Sequence, residues 1–171
     1  ELAIQVDEEL HKIGRSLGLR TAVLIGGTSP IPQLKAIARN PHIIIATPGR
    51  LIDHLEQKAV KLDKINILVL DEADRMLDMG FLPQIKRILQ EVPKERQTML
   101  FSATLPPPIM SIASSNMKLP IHVEIAPSGT TSDLVTQEIF IIKKDSKNRL
   151  LEKLLGEYKG SALVFTKTKH I

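Results

Sequence analysis

Near-continuous apolar runs recur along the chain at Thr21–Ile25, His42–Ala46, Ile67–Leu70 and Gln97–Phe101. A short apolar run without alternation suits a strand covered on both faces, as in a parallel sheet flanked by helices. Between the runs the spacing changes to that of helices. Leu2, Val6, Leu10, Ile13 and Leu17 recur every three or four residues, which predicts one face of a helix over 2–17 ended by Gly18. Pro30 and Pro32 precede a short helix near Gln33–Arg39, which Asn40-Pro41 stops. Thr47 can cap and Pro48 suits a first helical position, so a helix opens there and runs to about Gln57. Asp78–Phe81 reads as a turn, Leu82–Glu91 as a helix ended by Val92-Pro93, and Ile109–Asn116 as a helix led by Pro106-Pro107-Pro108. Ile121–Ile125 is one more strand.

Ala126–Ser132 is small, polar and broken by proline and glycine, the composition of a linker. Beyond it, Val135–Ile142 is strand-like, Asp145–Glu157 places Leu150, Leu151, Leu154 and Leu155 on a helix face, and Ser161–Thr166 is a strand. Alternating strands and helices predict a doubly wound α/β fold. The expected organisation is a first domain over 1–126, a linker over 127–133 and the start of a second domain over 134–171. A helix already running at the first residue, and a final strand–helix–strand unit too small to enclose a core, read as cut ends. The chain is therefore expected to be an internal slice of something longer.

Composition narrows the classes. A hydrophobic content of 43% with 25% charge permits a packed core. No apolar stretch is long enough for a membrane helix, and no signal-peptide pattern is present. The absence of cysteine excludes disulfides and thiolate zinc sites and fits a cytosolic protein. Five histidines, His11, His42, His54, His122 and His170, show no ligand spacing. Residues 1–133 balance 15 basic against 15 acidic side chains, while 134–171 carry 8 against 4, so the entire excess of +4 lies in the tail. That excess suits either a polyanion or a solvated helix face.

The chemistry gathers at the carboxyl ends of the strands, where ligands bind in such sheets. Asp71-Glu72-Ala73-Asp74 follows the central run: an acid that could hold Mg²⁺ through water, then one that could orient an attacking water. Asp71 could equally cap a following helix. Gly26-Gly27 could let backbone approach a phosphate or simply make a turn. Thr47-Pro48-Gly49-Arg50 could bind phosphate at a helix N-terminus or form a cap whose arginine faces water. The hydroxyls of Ser102-Ala103-Thr104 could bond the acids of the neighbouring strand or cap a turn. Right-handed crossovers bring all four strand ends to one rim.

These motifs, in this order, resemble the DEAD-box ATP-dependent RNA helicases, the bacterial type most of all. Asp71–Asp74 spells the defining motif, Ser102–Thr104 matches the coupling motif, and Gly26-Gly27 and Thr47–Arg50 match RNA-contacting motifs. Glu1-Leu2-Ala3 is similar to the tail of the motif preceding them, and Val164–Thr168 to the first segment of the second helicase domain. The resemblance implies a RecA-like domain followed by the start of another, with ATP and Mg²⁺ as cofactors. It implies that Asp71 holds the Mg²⁺ through water and Glu72 positions the hydrolytic water. Asp74, Ser102, Ala103 and Thr104 would couple ATP state to domain closure. Gly26, Gly27, Thr47, Pro48, Gly49 and Arg50, with Phe165 and Thr168, would contact the RNA sugar–phosphate backbone. It further implies a cytoplasmic monomer acting on RNA, in settings such as ribosomal or RNA-decay assemblies.

An aromatic content of 3%, without tryptophan, offers no stacking platform for bases, which agrees with backbone contacts that read no sequence. The main departure is that no G-x-x-x-x-G-K-[ST] occurs, so the phosphate-cradling loop and its lysine are missing. The adenine-reading segment that family members carry before that loop is missing as well, and the second domain's arginine fingers would lie beyond Ile171. Three readings follow: a piece of a DEAD-box helicase whose parent remodels RNA, a short catalytically inactive RNA-binding or regulatory module, or a DNA-directed helicase or other P-loop ATPase. The joint presence of the motifs argues against the last.

Overall fold

The computed structural model describes residues 1–124 and 135–166. It divides into two compact units, Glu1–Ser128 and Gly129–Ile171. The first is built from β1 (Thr21–Leu24), β2 (Ile43–Ala46), β3 (Ile67–Leu70) and β4 (Gln97–Leu100), with helices between them. β1 pairs with β2 and β3 with β4, both in parallel, with Leu24 beside Ala46 and Leu70 beside Leu100. Among the described residues the parallel strands thus form two pairs rather than one continuous sheet.

Each pair has its own core. Ala22 and Leu24 of β1 are buried against α2 (Pro30–Ile37) and α3 (Pro48–Glu56). Leu70 of β3 is buried against α4 (Ala73–Asp78), α5 (Leu82–Glu91) and α6 (Pro107–Asn116). Leu24 and Ile109 are fully enclosed, one in each core. Burying such a side chain is worth about 1.5–3 kcal/mol relative to leaving it in water. The two cores meet on α5, whose Ile88 belongs to the first and whose Ile85 and Leu89 belong to the second. Leu68 of β3 packs against both, and Arg87 of α5 reaches Glu56 of α3 at 2.6 Å.

Helix α1 (Leu2–Gly14) packs on β1 and β2, and a 3-10 turn over Arg15–Leu17 ends it at Gly18 in the left-handed region, φ 65°. Its packed side is not the full stripe that periodicity suggests. Ile13 and Leu17 are 72% and 75% exposed, whereas Gly14 is the buried residue of the helix's last turn. Gly14 lets Leu19 approach closely: a Cβ would stand 2.8 Å from Leu19 Cδ1, so that side chain would have to shift.

Other departures have equally local causes. Helix α2 begins at Pro30, not at Gln33, since both prolines fit a first turn whose N–H groups lack helical partners and Ser29 Oγ accepts from Ile31 N–H at 3.4 Å. Helix α4 starts within the acidic segment, at Ala73, and runs to Asp78, where the expected turn begins. Strand β3 is covered on one face only: Leu68 and Leu70 are packed, but Ile67 and Val69 are 52% and 48% exposed, because α4–α6 all lie on the other side. Residues 121–124 of the strand expected over 121–125 carry no regular secondary structure, and Ile125 lies outside the described residues.

In the second unit, α7 (Lys147–Glu157) follows a 3-10 turn over Lys144–Ser146. The strands expected over 135–142 and 161–166 do not form a ladder among the described residues, and Ile139, Ile141 and Leu163 are strongly exposed. Apolar composition favours a strand, but a strand also needs a ladder, and none is assigned to these segments among the described residues. The expected linker over 127–133 lies outside the described residues.

Candidate functional site

The carboxyl ends of β3 and β4 are tied together first by backbone. Phe101 N–H donates to Leu70 O at 2.8 Å, and Ala73 N–H to Phe101 O at 3.1 Å. With Ala73 buried, the acids on either side of it are fixed to the end of β4. Asp74 then becomes the centre of a compact network. Its carboxylate accepts from Thr104 N–H and Thr104 Oγ1, both at 2.8 Å, and from Arg75 N–H at 3.0 Å. Its own N–H donates to Ser102 Oγ at 3.0 Å. The Thr104 hydroxyl, with further help from Ser102 and backbone N–H groups, holds the Asp74 carboxyl below its ordinary value against the opposing effect of burial. The hydroxyls of the Ser102–Thr104 segment therefore bond the acid of the neighbouring strand.

Asp71 and Glu72 are arranged differently. Asp71 is exposed, and its Oδ1 accepts from Glu72 N–H at 2.9 Å, which leaves Oδ2 without a protein donor. Glu72 occupies the left-handed region at φ 46°, ψ 51°, and its Oε2 pairs with Arg75 at 3.1 Å. A non-glycine residue held there costs about 1–3 kcal/mol and persists only where its surroundings over-determine it. Here the flanking Leu70, Ala73 and Phe101 bonds supply that constraint. Asp71, Glu72, Asp74, Arg75, Asp78, Phe101, Ser102 and Ala103 line an open cleft of about 470 Å³.

The residues fit a weakly held Mg²⁺. No group of three or more potential ligands gathers among the described residues. Mg²⁺ keeps several waters and is bound by one or two carboxylates together with substrate phosphates, not by an all-protein cage. One exposed carboxylate with an oxygen that has no donor among the described residues would suffice on the protein side, and Asp71 is such a group.

The ends of β1 and β2 form a second constellation. Thr47 N–H donates to Leu24 O at 2.9 Å, which fixes the start of α3 to the end of β1. Pro48 is buried at the first turn of α3, and Gly49 lies beside the Phe81 ring, whose Cε1 is 4.0 Å from where a Cβ would stand. Through Phe81 the Thr47–Arg50 turn adjoins the loop that follows α4. Arg50 does not face water as a free cation. Both terminal nitrogens of its guanidinium donate to Thr28 O, at 3.1 and 3.2 Å, and its Nε lies 3.5 Å from Asp53. Arg50 thus braces the loop that carries Gly26 and Gly27. In that loop Gly27 has φ +75°, Gly26 and Gly27 are exposed and their backbone N–H groups have no partner among the described residues, while the turn over them directs the Thr28 N–H back toward Ile25.

The structure therefore assembles the sequence-predicted residues into two clusters within the first unit: Gly26, Gly27, Thr47, Pro48, Gly49 and Arg50, and Asp71, Glu72, Asp74, Ser102, Ala103 and Thr104. Phe165 belongs to the second unit and is 88% exposed; Thr168 lies outside the described residues. Sequence reasoning missed Gln33 and His54, which are buried beneath the glycine loop. The only available signal was helical spacing, four residues from Arg50 to His54, which places the two on one face of α3.

Comparison with known proteins identifies the family. The family model for the DEAD/DEAH box helicase matches residues 1–112. The chain is 45% identical over 170 residues to the DEAD-box ATP-dependent RNA helicase CshA of Streptococcus pneumoniae, covering 99% of this chain and 32% of that protein. It is 42% identical to the protein of the same name from Bacillus subtilis, covering 34% of it. The chain thus spans about a third of the length of these relatives. Among solved structures, it is similar to a hypothetical ATP-dependent RNA helicase from Sulfolobus tokodaii, with a TM-score of 0.65 and 36% identity over 69% of this chain and 35% of that one. A DEAD box protein from Methanococcus jannaschii aligns with a TM-score of 0.61 and 39% identity over 68% of this chain and 32% of that one. The parallel α/β arrangement is accordingly part of a RecA-like fold, and the chain belongs to the DEAD/DEAH box helicase family.

Proposed function

We propose that this chain is a core segment of an ATP-dependent RNA helicase, whose whole protein couples ATP binding and hydrolysis to sequence-independent RNA unwinding or remodelling of RNA–protein assemblies. The observation that carries the reading is the Asp74 network, in which one residue joins the acidic segment after β3 to the loop after β4, its carboxylate accepting from Thr104 and its N–H donating to Ser102. Such a joint can pass a change at the Asp71–Glu72 cleft to the neighbouring loop. Asp71 would hold Mg²⁺ through water, and the metal would neutralise phosphate charge when bound. Glu72 would orient the attacking water. Thr47, Gly49 and the free N–H groups of the Gly26-Gly27 loop would receive RNA phosphates, with Arg50 holding that loop in place. Residues 1–126 would form the ATP-side domain, 127–133 a linker, and 134–171 the start of a second domain contributing Phe165 and Thr168 to the RNA surface. A cytoplasmic monomer working on ribosomal or RNA-decay assemblies fits this role.

A specific feature favours a second reading for the chain by itself. Its 171 residues include no G-x-x-x-x-G-K-[ST], so they lack the backbone cradle and lysine that hold the ATP phosphates. Phosphoryl transfer depends on positioning and charge stabilisation, and an arginine finger alone contributes about 10³–10⁵ in rate. By this reading the isolated chain would bind RNA without hydrolysing ATP. ATP hydrolysis by the purified chain, measured with and without oligouridine, should stay at background. RNA-stimulated turnover would overturn this division between the segment and the whole protein.

A further inference from the structure

The loop over 25–29 is held from below by two side chains that no motif includes. Gln33 of α2 is 6% exposed and His54 of α3 is 1% exposed. Gln33 Nε2 lies 3.0 Å from Ile25 O, 2.9 Å from Thr28 Oγ1 and 3.4 Å from Ser29 O. Two of these are carbonyls, which can only accept, so the amide nitrogen must face them and Oε1 must face the other way. There it meets His54 Nε2 at 3.1 Å. His54 Nε2 must then carry the proton, and Nδ1 is left as a bare, buried lone pair with no partner. The sequence of bonds has one polarity throughout: imidazole to amide, amide to loop.

We propose that Gln33 and His54 are positioning residues for RNA-backbone binding: together with Arg50 they clamp the carbonyl side of the 25–29 loop, so that the N–H groups of Gly26 and Gly27 stay free and preorganised for a phosphate. The loop otherwise has little to hold it. Gly26 and Gly27 carry no side chain to pack, and no atom lies within 4 Å of where a Cβ would stand on either. Every anchor of the loop is polar: Gln33 on Ile25 O, Thr28 Oγ1 and Ser29 O, Arg50 on Thr28 O, and Thr28 Oγ1 on Ile25 O at 3.3 Å. Burial and the nearby Arg50 guanidinium both keep His54 below its ordinary pKa, with Asp53 opposing, which supports the neutral tautomer the geometry requires. The proposal rests on the reading of the glycine loop as a phosphate contact.

The test uses the 171-residue chain, fluorescent oligouridine and backbone ¹⁵N relaxation. In the native chain, order parameters over Gly26–Ser29 should sit near the rigid value of about 0.85. Gln33→Glu keeps an acceptor for His54 but turns a carboxylate toward the Ile25 and Ser29 carbonyls. It should drop the loop below about 0.6 and weaken oligouridine binding by about ten-fold. His54→Leu should act in the same direction, while His54→Gln, which restores a donor near the Nε2 position, should recover most of the affinity. Thr28→Val, at an exposed position that does not threaten folding, should loosen the loop by itself. Amide exchange in α5 and β4 should be unchanged throughout, which separates positioning from global destabilisation. A rigid loop and undiminished affinity in Gln33→Glu and Thr28→Val would overturn the proposal while leaving the phosphate reading intact. A native chain that binds no oligouridine would instead remove the phosphate reading and the proposal with it.

Discussion

The ends of the two strand pairs solve the same problem with different chemistry. After β3 and β4, an ionised carboxylate does the joining: Asp74 gathers three donors and is held acidic by them. After β1 and β2, the joining is done by a neutral imidazole that donates to the Gln33 amide oxygen, and by that amide and one guanidinium, which donate to backbone oxygens of the loop. The acidic cluster leaves exposed carboxylate oxygens at the cleft, suited to a metal. The other consumes its carbonyls internally and leaves exposed N–H groups, suited to an anion. Identical parallel-strand scaffolding thus presents opposite polarity at two neighbouring places. A nucleotide-driven RNA-binding machine needs both.

The largest expected effect separates the two clusters by function. Glu72→Gln in the whole protein should slow RNA-stimulated ATP hydrolysis by about 10²–10⁴, the usual worth of a general base, with little change in RNA affinity. Unchanged turnover in a steady-state phosphate-release assay would take Glu72 out of the mechanism.

The next effect sharpens the account of the glycine loop. Gly27→Ala should destabilise the first unit by about 1–2 kcal/mol in urea unfolding, because φ +75° is costly for any residue with a Cβ. Gly26→Ala has neither a strained φ nor a neighbour within 4 Å, so it should leave stability within about 0.5 kcal/mol while weakening RNA binding. Equal stability losses at both positions would mean that the loop is shaped by packing, not by access for a ligand.

A third expectation uses acid to take the clusters apart in order. His54 is depressed below 6.5, so its neutral form contributes stability that is complete above that value and lost as pH falls through its folded-state pKa. Asp74 is depressed below 3.8, so its contribution is complete above that value and lost only as pH falls through a lower one. Amide resonances near Thr28 should therefore change at higher pH than those near Thr104. The reverse order would contradict the assignment of charge states. The smallest effect concerns the bridge between the two cores. Arg87→Ala removes an exposed ion pair to Glu56 and should cost under about 1 kcal/mol in the same unfolding assay.

Much of this was legible in the sequence, and the limits are physical. The four strands of the first unit, and the helix starting at Thr47-Pro48, follow from apolar runs and from a proline whose missing N–H suits a first turn. The pairing of Ser102 and Thr104 with an acid could be anticipated only as one of two options, since a hydroxyl caps turns as readily as it bonds a carboxylate. The left-handed backbone at Glu72 left no trace, because no glycine or asparagine marks it. Arg50 was legible as a cation beside a phosphate-type turn, but not as a brace, since Thr28 lies 22 residues away along the chain. The same is true of His54 and Gln33, whose partnership exists only across two helices. Val135–Ile142 reads as a strand by composition, yet strand formation depends on a neighbour that composition does not name.

The central claim is that RNA is received by the exposed N–H groups at the ends of β1 and β2 and not by the acidic cluster. The direct test is a ¹H–¹⁵N titration of the 171-residue chain with oligouridine at two salt concentrations. The account predicts shifts concentrated at Gly26–Thr28 and Thr47–Arg50, weakened at higher salt as phosphate contacts require, with Asp71–Asp74 and Ser102–Thr104 nearly still. Shifts centred on the acidic cluster, or no shifts at the glycine loop, would contradict it.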